Sequence, residues 1–262
     1  MKIYIATDLE GISGVTCFEQ TRDRTTNLYQ EARHLLTAEI NACVQGCLDG
    51  GATDIIVNDG HGGGFNIVPE ELHPGASYFT GVGRPERRNG MDESVDGLIL
   101  LGYHAMNGVE DGVLHHTQSS LSEAKYWYNG VECGEIAQTA MAAGYYNIPP
   151  IMYSGDLRGA EEARRFLGEE IITVVVKQGL SRTSSIMLAP VKAREMVREG
   201  ARQAMSVIPR CKPYKIAVPF TARLRLKDKE RIDQIVEAGR ATRVDDHTVE
   251  RVIDDPRDAA RF

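Results

Sequence analysis

No window of the sequence approaches the roughly 18 to 20 consecutive apolar residues that span a bilayer, so a membrane-embedded chain is not expected. A long basic run is also missing and the formal net charge is −7, which makes nucleic acid or an anionic membrane surface a poor partner. Cysteine is sparse and odd in number: Cys17, Cys43, Cys47, Cys133 and Cys211 contain no C-x-x-C pair. That argues against a disulfide framework and for a reducing, intracellular compartment. Cys43 and Cys47, four apart on a helical pattern, read as small buried hydrophobes. The opening Met1-Lys2-Ile3-Tyr4-Ile5-Ala6 runs straight into acidic residues and lacks the longer apolar stretch of a signal peptide. A cytoplasmic protein is the expectation. Several catalytic signatures are missing too. H-E-x-x-H and the P-loop do not occur, and Gly11-Ile12-Ser13-Gly14 is one residue short of a nucleophile elbow. Gly81-Val82-Gly83 reads as a turn, and no internal repeat is evident.

What is present is an alternation of short apolar runs with helical periodicity. Ile3 to Ala6, Ile55-Ile56-Val57 and Leu98-Ile99-Leu100-Leu101 are nearly continuous apolar runs, the pattern of strands buried on both faces. Between the first two, Leu28, Ala32, Leu35, Leu36, Ile40, Cys43, Val44, Cys47 and Leu48 recur at helical spacing until Gly50-Gly51. Asn129-Gly130 predicts a tight hairpin, Ile136 to Tyr145 a helix, Ile151 to Tyr153 a strand, Arg158 to Leu167 a helix and Ile171 to Val176 a strand. This order predicts an α/β three-layer sandwich around a mostly parallel sheet over residues 1–187. Past that point the pattern changes: a charged helix from Pro190 to Val207, a strand at Ile216 to Phe220 and a helix from Asp228 to Ala238. Residues 188–262 are expected to form a smaller C-terminal α+β lobe for packing, assembly or substrate enclosure.

The residues that follow each early strand carry the chemistry. Thr7-Asp8-Leu9-Glu10-Gly11 follows the first, Asn58-Asp59-Gly60-His61-Gly62-Gly63-Gly64 the second, and Gly102-Tyr103-His104 the third. In open α/β sheets the carboxyl ends of parallel strands share one rim, where ligands bind. Asp8 and Glu10, two apart in an extended segment, point the same way. Held close, they repel unless a cation or proton sits between them. With His61 and His104 they make a mixed O/N donor set that suits zinc, or else manganese or cobalt. Glu135, at the start of a predicted helix, is either a further donor or simply a first-turn acid. Glu132 competes with it from the hairpin. His115 and His116 add two imidazoles, of which one is a candidate ligand or proton donor. Asp156 reads as a helix cap.

These segments together resemble the M55 peptidase family, the bacterial D-aminopeptidases linked to dipeptide transport. Thr7-Asp8-Leu9-Glu10-Gly11 resembles the family's S-x-D-x-E-G signature. The likeness continues in order through Val57-Asn58-Asp59-Gly60-His61, Leu101-Gly102-Tyr103-His104-Ala105, Gly112-Val113-Leu114-His115-His116 and Gly134-Glu135, and takes in Val176-Lys177-Gln178 and Ser181-Arg182. It covers about the first 190 residues, and several motifs in order are far more specific than any one of them. The resemblance implies two zinc ions per chain, with ligands at Asp8, Glu10, His61, His104 and Glu135 and Asp8 as the bridge. It puts the catalytic histidine at His116 and leaves His115 as a neighbour. Lys177 and Arg182 become candidates for binding a peptide carboxylate or for supporting the site. The implied activity is hydrolysis of short peptides that begin with a D-amino acid, in a ring-like homo-oligomer. Rival readings are an amidase on another small amide, a non-enzymatic peptide-binding protein of a transport system, and, lowest, a two-metal phosphoesterase.

Overall fold

The computed structural model describes residues 1–81 and 90–262. Val82 and Gly83 of the turn expected at Gly81 therefore lie outside the described residues. In chain order the elements are β1 (Lys2–Thr7), α1 (Glu19–Arg22), α2 (Asn27–Asp49), β2 (Asp54–Asp59), β3 (Ser77–Phe79), β4 (Gly97–Tyr103), β5 (Lys125–Tyr128), β6 (Val131–Cys133) and α3 (Glu135–Tyr145). They continue with β7 (Pro150–Asp156), α4 (Leu157–Leu167), β8 (Ile172–Ser181), β9 (Ser184–Met187), α5 (Pro190–Val207), β10 (Phe220–Arg225), α6 (Lys229–Glu237), β11 (Thr242–Asp245) and β12 (Thr248–Ile253).

The main sheet has seven strands in the order β3-β2-β1-β4-β7-β8-β9, all parallel except the β8–β9 pair. Side chains alternate faces along a strand. Ile3 and Ile5 of β1 accordingly join Ile99 and Leu101 of β4 under α2 and α5. Tyr4 and Ala6 join Leu98 and Leu100 under α3 and α4. Every residue of β4 is buried, as the continuous apolar run requires. The result is the expected three-layer sandwich.

The second sheet is antiparallel, in the order β11-β12-β10-β5-β6. Its hairpin β5–β6 turns at Asn129-Gly130, both at positive φ, a conformation those two residues adopt at little cost. Sheet membership crosses the 187/188 position where the sequence suggested a lobe boundary. β5 pairs with the C-terminal strand β10 and carries β6 on its other edge, while the core side chains of α5 (Ala193, Val197, Ala201) share the main-sheet core with α2. The strand expected at 216–220 begins only at Phe220. Pro219 has no N–H to give to the ladder, so pairing starts after it.

The connection after β1 is fastened from three sides. Asp8 N–H donates to the Leu101 carbonyl and Gly11 N–H to the Gly102 carbonyl. A Cβ on Gly11 would stand 2.1 Å from the Tyr103 carbonyl oxygen, so only glycine fits there. Ser13 N–H donates to the buried Glu39 carboxyl of α2 at 2.8 Å.

Burial pushes Glu39 up to about 7, against the Ser13 hydrogen bond and the Lys177 charge. Its folded pKa thus exceeds the unfolded value near 4.5. The stability this contributes is complete below the unfolded value and is lost as pH rises through about 7. Glu39→Gln, which keeps an acceptor for Ser13, should remove that dependence. Urea unfolding at pH 5 and pH 8 should show a drop on the order of 2–3 kcal/mol for the parent chain and a flatter response for the variant.

Candidate metal centre

β1 and β4 are neighbours, and the chain leaves β1 towards β2 on one side while β4 lies on the other. The carboxyl ends of β1, β2 and β4 therefore open a crevice at the point where strand order reverses. Asp8 and Glu10 enter it from β1, His61 from the turn after β2, and His104 from the end of β4. Glu135 arrives at the first turn of α3, just after Cys133 of β6 and the N-cap Gly134.

The two oxygens of Asp8 point in different directions. Oδ1 lies 2.9 Å from His61 Nδ1, and Oδ2 lies 3.3 Å from His104 Nε2. Glu10 Oε2 is 3.0 Å from the same His61 nitrogen. Glu135 Oε1 stands 3.6 Å from His104 Nε2 and 3.8 Å from His116 Nε2. Ligand atoms of Asp8, Glu10 and His104 all lie within 4.8 Å of one another, and the same holds for His104, His116 and Glu135.

The tautomers decide what this cluster wants. His61 Nε2 donates to the Thr21 carbonyl at 2.8 Å, and His104 Nδ1 donates to the Ala105 carbonyl at 2.9 Å. In each neutral ring the other nitrogen is then a lone pair aimed at carboxylate oxygens, acceptor against acceptor. His104 Nε2 and Glu10 Oε2 are both buried without a hydrogen-bond partner among the described residues. A shared cation or an extra proton resolves such a contact.

The electrostatics say the same. Burial works against charge on His104, yet the Asp8 carboxylate 3.3 Å away and the Glu135 and Glu10 charges push it up to about 10. His61 is likewise raised, against burial, by Glu10 and Asp8. Burial would raise Asp8 as well, but its contacts to His104 and His61 hold it well below the usual carboxylate range. Protons on the two imidazoles do what a divalent cation does with the rings neutral. The donor set of carboxylates and imidazoles fits zinc.

His116 and His115 part company. His116 stacks on His104, ring centroids 4.1 Å apart and 14° from parallel, and lines the cavity over the cluster. Its Nδ1 donates to the Leu114 carbonyl at 2.8 Å. Burial, then the His104 charge, lowers it to about 4. His115 instead accepts the Gly108 N–H on Nδ1 at 3.1 Å and does not line that cavity.

Other sequence candidates hold the frame. Asp59 accepts from Asn66 and Thr80, and Asn66 in turn bonds the His61 carbonyl. Lys177 is buried and donates to the carbonyls of Glu10, Ile12 and Val15, so it pins the connection after β1. Arg182 pairs with Glu123 and reaches the His115 carbonyl. Asp156 caps α4 and accepts the Val113 N–H. Glu132 pairs with Lys125 on the hairpin. One supporting residue had no sequence signal: Gln118 gives its backbone N–H to Glu135 Oε1 at 2.7 Å, a contact that does not depend on residue type.

The cluster lies at the floor of a cavity of about 700 Å³. Tyr4, Met91, Tyr103 and Ala142 line one part of it, and Arg22, Arg24 and Ser119 to Leu121 another.

Fold and site together define an α/β metalloenzyme. A family model described as Peptidase_M55, D-aminopeptidase, matches residues 1–262, and the chain belongs to that family. It is 34% identical over 215 residues to a D-aminopeptidase of Bacillus subtilis (strain 168), covering 81% of this chain and 77% of that one. A solved structure, the Zn-dependent D-aminopeptidase DppA from Bacillus subtilis, a self-compartmentalizing protease, is similar with a TM-score of 0.93 and 28% identity. The likeness covers 99% of this chain and 94% of that chain.

A cation that binds only the folded cluster stabilises it by mass action. Zn²⁺ added to chelator-treated protein should raise the thermal midpoint. His104→Ala should abolish that rise, as read by a melting curve with and without metal.

Proposed function

We propose that this chain is a zinc aminopeptidase that releases D-amino acids, such as D-Ala, from the N-terminus of short peptides. The observation that carries the reading is Asp8, whose two oxygens face two imidazoles with opposed lone pairs. Divalent cations held between Asp8 and these rings would relieve that conflict. Asp8, Glu10, His61, His104 and Glu135 would hold the pair. When bound, two zinc ions supply a Lewis acid for the scissile carbonyl and make a water nucleophilic near neutral pH.

The protein's own part is positional and protonic. Lys177 and the β1–β4 backbone bonds hold Asp8 and Glu10 in place before substrate arrives. With Nδ1–H committed to Leu114, His116 is neutral at pH 7 and its Nε2 lone pair is available. It takes a proton from the attacking water and passes it to the leaving amine. A neutral ring with this tautomer cannot donate to an oxyanion from Nε2, so a proton shuttle fits better than oxyanion binding.

The relative described as self-compartmentalizing supports a homo-oligomer for this chain too, and a ring-like form is part of the proposal. Leu180, Ile186, Met187 and Val191 lie exposed around edge strand β9, a strip that suits burial against a second copy. No helix among the described residues is long and apolar enough to cross a membrane.

Matched D-Ala and L-Ala p-nitroanilides test the reading on protein of assayed metal content. About two zinc ions per chain with D-selective cleavage is the expected result; bound metal with no cleavage of either series would sink it. His116→Ala should lower kcat by roughly 10²–10⁴-fold with metal content kept. Loss of metal in that variant would make His116 a ligand of the second cluster instead.

A further inference from the structure

Two arginines on the cavity wall have no part in the metal cluster. Arg22 and Arg24 both line it, and both are exposed. Neither has a carboxylate within ion-pair distance among the described residues, although the cavity floor is acidic.

Both are held in place. The Arg22 guanidinium lies 3.5 Å from the Phe18 ring centroid. Its Nε donates to Ser120 Oγ at 2.7 Å and its Nη2 to the Ser120 carbonyl at 2.9 Å. Nη1 has no partner among the described residues. Arg24 Nη2 donates to the carbonyls of Gly62 and Gly64 at 3.1 and 2.9 Å, and its Nε and Nη1 have no partner among the described residues. Guanidinium groups fixed by stacking and backbone carbonyls, with N–H groups to spare, are pre-organised to receive a carboxylate in a forked geometry.

Arg22 also starts beside the reacting centre. Thr21, the residue before Arg22, accepts the His61 Nε2–H, so the Arg22 backbone adjoins the cluster. From the scissile carbonyl of a peptide of roughly two to three residues, the C-terminal carboxylate is about 4–7 Å away. One arginine side chain covers that span. The floor's carboxylates would be taken up in holding the zinc ions, which leaves the cationic wall to meet the substrate's C-terminal carboxylate.

We propose that Arg22 and Arg24 form a carboxylate-receiving subsite that selects peptides of roughly two to three residues with a free C-terminus. The proposal rests on the aminopeptidase reading above and names the substrate class within it.

The test compares a D-alanyl dipeptide with its C-terminal amide, using the zinc-loaded protein. The free acid should be preferred by about tenfold in kcat/KM, through KM. Added salt should raise KM for the acid more than for the amide, because the subsite is exposed. Arg22→Gln should bring the ratio of the two substrates close to one, and Arg24→Gln should lower it less. Arg22→Lys should give an intermediate ratio, because it keeps charge but not the fork. If Arg22→Gln does not fold, Arg24→Gln and the salt series on the parent chain carry the test. Equal cleavage of acid and amide by the parent chain, or a ratio untouched by both glutamine variants, overturns the subsite and leaves the peptidase reading standing. Cleavage of neither peptide overturns the peptidase reading, and the subsite falls with it.

Discussion

Two buried carboxylates and a third half-buried one, with two imidazoles whose lone pairs face them, are the constraint around which this molecule is arranged. Two like charges about 4 Å apart repel by roughly 4 kcal/mol at an effective dielectric of 20, and a protein interior offers little water to relieve that. The cluster persists only where the backbone holds it and a positive charge compensates it. Both conditions leave marks. Lys177 spends its ammonium on three carbonyls of the connection that carries Glu10 instead of pairing with a carboxylate. Asp59, through Asn66, fixes the carbonyl of His61. Gly11 lets β1 and β4 approach until a Cβ would touch backbone. Rigid backing of this kind belongs to a site that must exist before its ligand arrives.

Much of this was written in the sequence because the signals are local. Continuous apolar runs mark strands buried on two faces, and polar residues at their ends must then share one rim. Asp8, Glu10, His61 and His104 could be grouped from that rule with no knowledge of contacts. Glu135 could not, since an acid in the first turn of a helix has its own local reason to be there. The structure brings it to His104 through β6, a strand of the other sheet. His115 and His116 were equivalent in sequence because adjacency says nothing about which ring turns inward. The direction is set by Leu114 at positive φ and by stacking on His104. Arg22, Arg24 and Gln118 stayed illegible because their roles depend on loops that converge only in three dimensions.

The pairing of β5 with β10 was hidden for the same reason. An antiparallel ladder between residues some 95 positions apart, such as Arg223 opposite Trp127, has no local signature beyond the alternation of each strand. Alternation alone does not name a partner. The late start of β10 has a local cause, Pro219, that a stricter reading of proline would have caught.

The two sheets divide the labour in a way that bears on specificity. The main sheet supplies Asp8, Glu10, His61 and His104, all at strand ends where their positions are stiff. The antiparallel sheet supplies the hairpin that delivers Glu135, and β5 follows directly on the segment that lines the cavity at Ser119 to Leu121. Moving that hairpin would change one donor and the cavity wall together. Substrate choice and the integrity of the centre are therefore coupled through β5–β6, while the chemistry of the remaining donors is insulated in the parallel sheet. Variation in the wall can re-aim such an enzyme towards other amides without disturbing the four strand-end side chains. The residues that decide what is cleaved must be sought on the wall, where Arg22 and Arg24 are fixed by backbone carbonyls with N–H groups to spare.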